Sequence, residues 1–395
     1  MKKILVLGAG LPQVPLILKA KEMGLYTMVS SIEGNYPGFR FADRSFYIDT
    51  TDSEAILQTA KAYNIDAIIT AGTDVAVNTI GYVCDQLGLP GITSQTAKAV
   101  TDKSLMKKKM VEGNVNTSQF VKVESLQEAL ESSSKIGYPV MFKCADKSGS
   151  RGIIKVDSMD DVEAAYQYAR SYTQKNYIVV EKFVCGIEIG LDGYTGQNSE
   201  FYVPYEREVY NNGHTDIPLR HILPLSKKFR PLEKTIIEEA QKAVKALGIK
   251  NSFFNMDIIV NLEKGYANII EVGARTGGAF IPEVIANYYN FDLYEKMILN
   301  SLGKSITFPS KPNNRACISE LLISEKDGIV EDIVNDYVQK DQSCMVILGC
   351  DVGDVVKKFK IGSNVIGGIV VSEQNIDEAR HKLDEVRSKV NIIIK

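Results

Sequence analysis

The sequence predicts an α/β protein with α+β parts: an N-terminal doubly wound parallel α/β domain over residues 1–98, a central domain over 99–310 built of two α+β lobes, and a small C-terminal α+β subdomain over 311–395. Three observations predict it. In the first hundred residues, short apolar runs (ILVLG, LYTMVS, DAIIT) alternate with helical patterns, the mark of a parallel sheet covered on both faces. In the middle, strand-like runs form hairpin-like pairs with helices between them. Near the end, Ile376, Ala379, Leu383, Val386 and Val390 recur at spacings of three and four between the runs IGGIVVSE and NIIIK.

The elements follow in order. A first strand at 4–8 runs into a helix that ends near Met23 at Gly24. SEAILQTAKAYNI is helical, and DAIIT is a strand over 66–70. Beyond Thr101 the grammar changes. Ser125 to Glu128 has the SxxE form of a capping box, in which the serine accepts from a backbone N–H and the glutamate reaches back. The helix it opens extends to about Ile136. Next come the strand PVMFKC, a Gly/Ser loop, the strand GIIKV, a helix opened by Ser158, and the strand YIVVEKF. A helix over 232–247 shows one apolar face and stops at Gly248. FFNMDIIV and YANIIEVG then read as a hairpin turning at Gly265.

Composition narrows the chemistry. The 395 residues are 45% hydrophobic, and 46 basic against 49 acidic residues leave a net charge of −3. Such a balance offers no electrostatic footprint for a nucleic-acid backbone, which favours a small-molecule enzyme. Cys84, Cys144, Cys185, Cys317, Cys344 and Cys350 lack metal-site spacing or disulfide-scaffold density and read as buried reduced thiols in a cytoplasmic protein. The run after MKK is cut short at Pro12, and no stretch approaches the roughly 18–20 apolar residues of a membrane span. A soluble chain, with no membrane partner, is expected.

Five segments carry candidate chemistry. GAG at 8–10 sits where a dinucleotide fingerprint would start, but Gln13 stands where that pattern needs a glycine. It reads as a tight strand-to-helix turn that could touch an anionic substrate. KCADKSGSRG at 143–152 puts Lys143 at a strand end before small residues that let backbone N–H groups approach phosphate oxygens; a flexible hairpin tip is the plain alternative. In EKFVCGIEIGLDGY, Glu181 and Glu188 lie on either side of a break at Gly186, suited to the edge of an adenine pocket and to ribose hydroxyls, or simply solvated. Asp257 and Glu271 sit within apolar strands, where metal coordination offsets the cost of burying them and a buried salt bridge competes. Arg275, in VGARTGG, fits a phosphoryl group or a carboxylate, with Gly277 and Gly278 beside it; a surface arginine stapling a turn is the alternative.

In this order the segments resemble the ATP-grasp superfamily, in particular the carboxylate-amine ligase branch that includes biotin carboxylase and the carbamoyl-phosphate synthase large subunit. The resemblance spans essentially the whole chain. It implies that 99–310 is the ATP-grasp domain, with 118–190 its nucleotide lobe, and that ATP is bound by Lys103, Lys143, the phosphate loop with Ser148, Gly149, Ser150 and Gly152, the hinge Glu181, Lys182, Phe183 and Val184, and the ribose contact Glu188. It assigns magnesium, two ions, to Asp257 and Glu271, and the catalytic arginine to Arg275. Gly273 departs from the pattern, because the family has an asparagine ligand there; backbone, water or Asn255 would have to stand in.

The mechanism so implied activates a carboxylate as an acyl phosphate, which an amine then displaces to give an amide, ADP and phosphate. The expected partners are a small carboxylate, an amino acid or a relative of one, and an amine, and a homodimer is the default assembly. A bicarbonate-activating carboxylase and an ATP-binding regulator without turnover are the other readings. Specificity is expected from loops in 203–224, where Arg207, His214, Arg220 and His221 could grip a carboxylate or lie in solvent. His381 reads as a surface residue.

Overall fold

The computed structural model describes every residue except Ser150, 212–215 and 339–342. Ser150 and His214 therefore lie outside the described residues.

The chain opens with β1 (Lys3–Leu7), α1 (Val14–Glu22), β2 (Tyr26–Ser31), β3 (Arg44–Tyr47), α2 (Ser53–Tyr63), β4 (Ala67–Ile69) and α3 (Val77–Leu87). The strands form one parallel sheet in the order β3-β2-β1-β4. Alternate residues of β1 enter different cores, Leu5 and Leu7 on one side and Ile4 and Val6 on the other, so both faces are covered as the apolar runs predict.

Two helices, α4 (Ser94–Thr101) and α5 (Lys103–Glu112), lead into a small antiparallel sheet. The Asp102 carboxylate caps α5 by accepting from the Leu105 N–H at 3.1 Å, which sets Lys103 in the first turn. The small sheet contains β5 (Phe120–Val123), β6 (Val140–Cys144), β7 (Ile153–Val156) and β8 (Ile178–Lys182) in the order β5-β8-β6-β7. Helices α6 (Leu126–Ile136) and α7 (Val162–Tyr172) pack on it. The Ser125 cap on α6 forms as predicted, although Glu128 accepts from the N–H of Glu124, one residue ahead of the cap.

A large sheet follows. Its members are β9 (Ile187–Thr195), β10 (Glu200–Asn211), β11 (Asp216–Leu223), then, after α8 (Glu233–Leu247), β12 (Ser252–Asn261) and β13 (Tyr266–Gly273). Helices α9 (Ile281–Tyr289) and α10 (Leu293–Ser301) precede β14 (Ala316–Ile323), β15 (Gly328–Asn335), β16 (Cys344–Leu348), β17 (Val355–Val356), β18 (Val365–Glu373), α11 (Ile376–Ser388) and β19 (Val390–Ile394). The sheet order is β13-β12-β9-β10-β11-β14-β18-β16, so strands beyond residue 311 continue the sheet that holds Asp257 and Glu271. Strands β17, β15 and β19 form a separate three-stranded sheet.

The segment 203–224, expected as loops, consists mostly of the paired strands β10 and β11. Its prolines misled: Pro204 and Pro218 lie within strands, the latter at a β-bulge beside Val209. Five cysteines are buried as expected, whereas Cys185, in the break between β8 and β9, is exposed. Among the described residues, no helix is long and apolar enough to cross a membrane.

Candidate active site

The large sheet sorts its side chains by period two. On β12, Phe254, Met256, Ile258 and Val260 enter the core, which leaves Asn255 and Asp257 on the opposite face. On β13, Ala267 and Ile269 also point into the core, and strict alternation would send Glu271 after them. It does not. Asp257 pairs with Glu271 and Ile258 with Ile269, so Ile270 is an extra residue, and this bulge turns Val272 inward and Glu271 outward. The two carboxylates thus share a cleft of about 300 Å³ with Asp74, Ser148, Gly149, Asn255, Gly273 and Arg275.

Each carboxylate has a cation beside it. Lys103 Nζ lies 2.8 Å from Glu271 Oε1 and also donates to the Lys147 carbonyl. Arg207 Nη1 bridges Asp257 at 2.7 Å and Glu188 at 2.8 Å, with only 4% of its side chain accessible. Burial alone would lower the affinity of Arg207 for its proton, but Asp257 and its other neighbours raise its pKa well above the usual value. Asp257 and Glu271 keep 37% and 27% of their side chains accessible, so they are neither core residues nor sealed salt bridges.

This donor set fits magnesium. The ion takes few protein carboxylates and completes its shell with phosphate oxygens and water, and two partly open carboxylates on paired positions offer that. The stand-in proposed for the missing asparagine is already engaged. Asn255 accepts from Arg275 at 3.1 Å and donates to Asp192 and to the Tyr205 hydroxyl.

Beside the cleft lies a buried lysine cluster. Lys143 and Lys107 approach the same Glu181 oxygen at 3.0 and 3.2 Å, and Ser118 donates to it at 2.5 Å. Burial would push the Glu181 carboxyl up, but the two lysines hold it down at about 2. Glu181 is thus no solvated strand carboxylate. The sequence reading missed Lys107, although its signal was present: it follows Lys103 by one helical turn on the buried face of α5. In the hinge, the Lys182 ammonium donates to the carbonyls of Gly137 and Tyr138, and the Phe183 N–H to that of Pro139, while Val184 is half-buried.

The loop after β6 folds over the cleft. Ser148 lines the cleft with Asp74 and helps hold its carboxylate charged, and Gly149 has open space where a Cβ would stand. Gly152 plays a different part from cradling phosphate. With φ of +64°, it closes the hairpin by accepting from the Cys144 N–H, and a Cβ there would lie 2.7 Å from Tyr172.

Arg275 grips Asp74 bidentately, with Nε and Nη2 at 2.9 and 2.5 Å from the two carboxylate oxygens. Asp74, in the loop between β4 and α3, was not foreseen, because nothing in its local sequence announces a contact 201 positions away. Burial would raise its pKa, yet Arg275 holds it below the usual carboxylate range. Gly273 makes room for the pair, since a Cβ there would sit 2.8 Å from Asp74 Oδ1. Asp192 is a second unforeseen residue. It accepts from Asn255, the Tyr205 hydroxyl and the Gly277 N–H, tying the 274–280 loop to the sheet.

Four substrate candidates need correction. Arg220 pairs in register with Glu208, on the face opposite Arg207, and is held by Glu208 and Glu320 away from the cleft. His221 is on the cleft face but only 2% accessible, against Ser319 and the Tyr205 ring. Burial and Arg207 lower its pKa to about 3, so it is a neutral packing residue. The Gly277 N–H is taken by Asp192, and Gly278 approaches Gly72, whose carbonyl would lie 3.3 Å from a Cβ. Both glycines serve close packing rather than substrate. His381 is exposed on α11, as expected. Gln13 bonds Gly10 and Ala71, which fixes the turn after β1.

Comparison with known proteins agrees with this geometry. Residues 102–278 match the family described as the carbamoyl-phosphate synthase L chain, ATP binding domain. The chain is 22% identical to a formate-dependent phosphoribosylglycinamide formyltransferase of Prochlorococcus marinus, over 99% of this chain and 98% of that one. It is 23% identical to the alanine–anticapsin ligase of Bacillus subtilis, over 65% and 58%. Among solved structures, phosphoribosylglycinamide synthetase from Anaerococcus prevotii superposes with a TM-score of 0.83 at 28% identity, covering 100% of both chains. The L-amino acid ligase of Bacillus licheniformis gives 0.82 at 20% identity, over 100% of this chain and 99% of that one, and is alike in fold. Residues 102–278 thus match an ATP-binding domain of the carbamoyl-phosphate synthase kind, and the whole chain is similar in sequence and fold to ATP-dependent ligases of the ATP-grasp type.

Proposed function

We propose that the protein joins a small carboxylate, an amino acid or a related acid, to an amine through an acyl phosphate, releasing ADP and phosphate. The observation that carries this reading is Arg275. Its guanidinium already holds a carboxylate side-on, in the same cleft as Asp257 and Glu271. That fork geometry is how arginine recognises carboxylates and phosphates.

The chain's own groups divide the work. Lys143 and Lys103 present ammonium groups to nucleotide phosphates, and Glu181, shared with Lys107, fixes the position of Lys143. Asp257 and Glu271 would hold magnesium, which supplies charge neutralisation for the triphosphate when bound. Arg275 orients the carboxylate for attack on the γ-phosphoryl group. Ser148 and Gly149 cover the cleft and exclude water from the mixed anhydride. Arg207, between Asp257 and Glu188, sets the two acids apart as metal and ribose contacts.

A panel of amino acids and simple carboxylates, assayed for ADP and phosphate release with and without added amines, tests the proposal. Release that depends on one carboxylate and one amine supports it. Dependence on bicarbonate, or tight ATP binding without turnover, would overturn it in favour of a carboxylase or a regulator. A homodimer forms part of the same proposal and is checked by sedimentation.

A further inference from the structure

The carboxylate that fills Arg275 comes from the chain itself. Asp74 reaches from the N-terminal α/β layer into the cleft, 18% accessible, with both oxygens on the guanidinium. The cleft is shaped to admit it. Position 273 carries no Cβ, which would otherwise stand 2.8 Å from Asp74 Oδ1, and the phosphate loop adds the Ser148 hydroxyl. Asp74 thus stands where a substrate carboxylate would have to sit if Arg275 is to orient it.

Charge decides what happens when that substrate arrives. Moving a second anion onto Arg275 leaves Asp74 released and mostly buried in the cleft it shares with Asp257 and Glu271, with Lys103 the other cation that acts on it. A buried carboxylate that loses its direct ion pair is costly even with Lys103 nearby, so the exchange is favoured by a cation that takes the place of Arg275. Lys103 is held by Glu271 and the Lys147 carbonyl, and Arg207 by Asp257 and Glu188. Neither lies free to move across. The incoming amine, which enters from water as an ammonium ion, carries the missing charge.

Resting on the ligase reading above, we infer that Asp74 is the binding group for the ammonium of the amine substrate, and that in the resting enzyme it occupies the carboxylate site on Arg275. The two substrates then enter as a charge-matched pair: the carboxylate takes Arg275 and the ammonium takes Asp74. In the second step the nitrogen gives one proton to Asp74 and attacks the acyl carbon. The C–N bond forms as the C–O bond to phosphate breaks, and the remaining excess proton leaves with phosphate. The amine is thereby held beside the acyl carbon that Arg275 has positioned.

The isosteric Asp74→Asn variant of the full chain tests this inference. It is assayed with ATP, magnesium and the standard amino acids as carboxylates, once with hydroxylamine as nucleophile and once with a second amino acid. Hydroxylamine is uncharged at neutral pH and needs no anionic partner. We expect amide formation to fall at least ~30-fold further than hydroxamate formation, with a carboxylate KM lower by about threefold or more. Parallel loss of both products, or undiminished amide formation, would overturn the role of Asp74. The hydroxamate that the variant still forms is also the control that it folds. A wild-type protein that makes neither product from any carboxylate would instead sink the ligase reading, and the exchange with it.

Discussion

The ammonium of Lys107 lies 3.2 Å from the Glu181 carboxylate, and each side chain is 2% accessible. Burial pulls Lys107 down to about 8 against the attraction of Glu181, whose own pKa is held at about 2. For Glu181 the folded pKa is depressed from 4.5, so its stabilisation is fully present above pH 4.5 and is lost as pH falls towards 2. For Lys107 the protonated form is the costly one, and that cost fades as pH rises from about 8 to 10.5. Glu181→Gln should cost about 3 kcal/mol at neutral pH, because two lysines lose their counter-charge, and should flatten the acid limb. Urea unfolding at pH 7 and pH 3 measures both effects.

Glu271→Gln should leave the fold intact and lower turnover by at least ~100-fold, since the amide still accepts from Lys103 but binds magnesium poorly. ADP release and a thermal melt on the same sample check this. Full activity would remove Glu271 from the metal site.

Lys143→Ala should weaken ATP binding by about tenfold, the order of one charge-assisted contact to phosphate. Calorimetry with ATP and magnesium reads it directly. An unchanged affinity would mean that Lys143 serves only Glu181.

Restoring the family's asparagine at position 273 should do harm. In Gly273→Asn the new Cβ would stand 2.8 Å from Asp74 Oδ1, so the melting midpoint should fall. Asp74→Ala should relieve that loss in the double variant. The coupling is read from a double-mutant cycle of melting temperatures, and strict additivity would count against the contact.

His221, with a pKa lowered to about 3 by burial and Arg207, should show no ring titration by NMR between pH 5 and 8. The unfolded chain binds a proton near 6.5 that the folded chain refuses, so this residue costs stability as pH falls from 6.5 towards 3. A titration midpoint near neutrality would reopen its case as an acid or base.

Local patterns carried much of the fold. The apolar runs of β1, β2 and β4, the 125–136 helix and the 252–273 hairpin follow from periodicity and capping, because their causes lie within a few residues. The short β5 went unread, as did β10 and β11, whose pairing is set by distant partners and whose prolines suggested loops. At the site, residue type and order singled out Asp257, Glu271 and Arg275, which the fold brings into one cleft. What escaped depends on register or on distance. The extra Ile270 that turns Glu271 outward leaves no mark in composition, and Asp192 and Asp74 meet their partners only through the fold. Arg220 and His221 illustrate the converse: adjacent strand residues face opposite ways, so their basic character alone could not place them together.

Asp74 and Arg275 meet from positions 201 apart, and only one of them falls within the matched segment 102–278. The matched segment does not stand alone in the fold: its buried residues share one core with the N-terminal layer, and its large sheet is continued by β14, β18 and β16. Excised, the segment would expose that core and leave Arg275 without its carboxylate partner. On the inference that Asp74 seats the amine, exchanging the residues around Gly72 and Asp74 is the direct route to changing which amine the protein accepts.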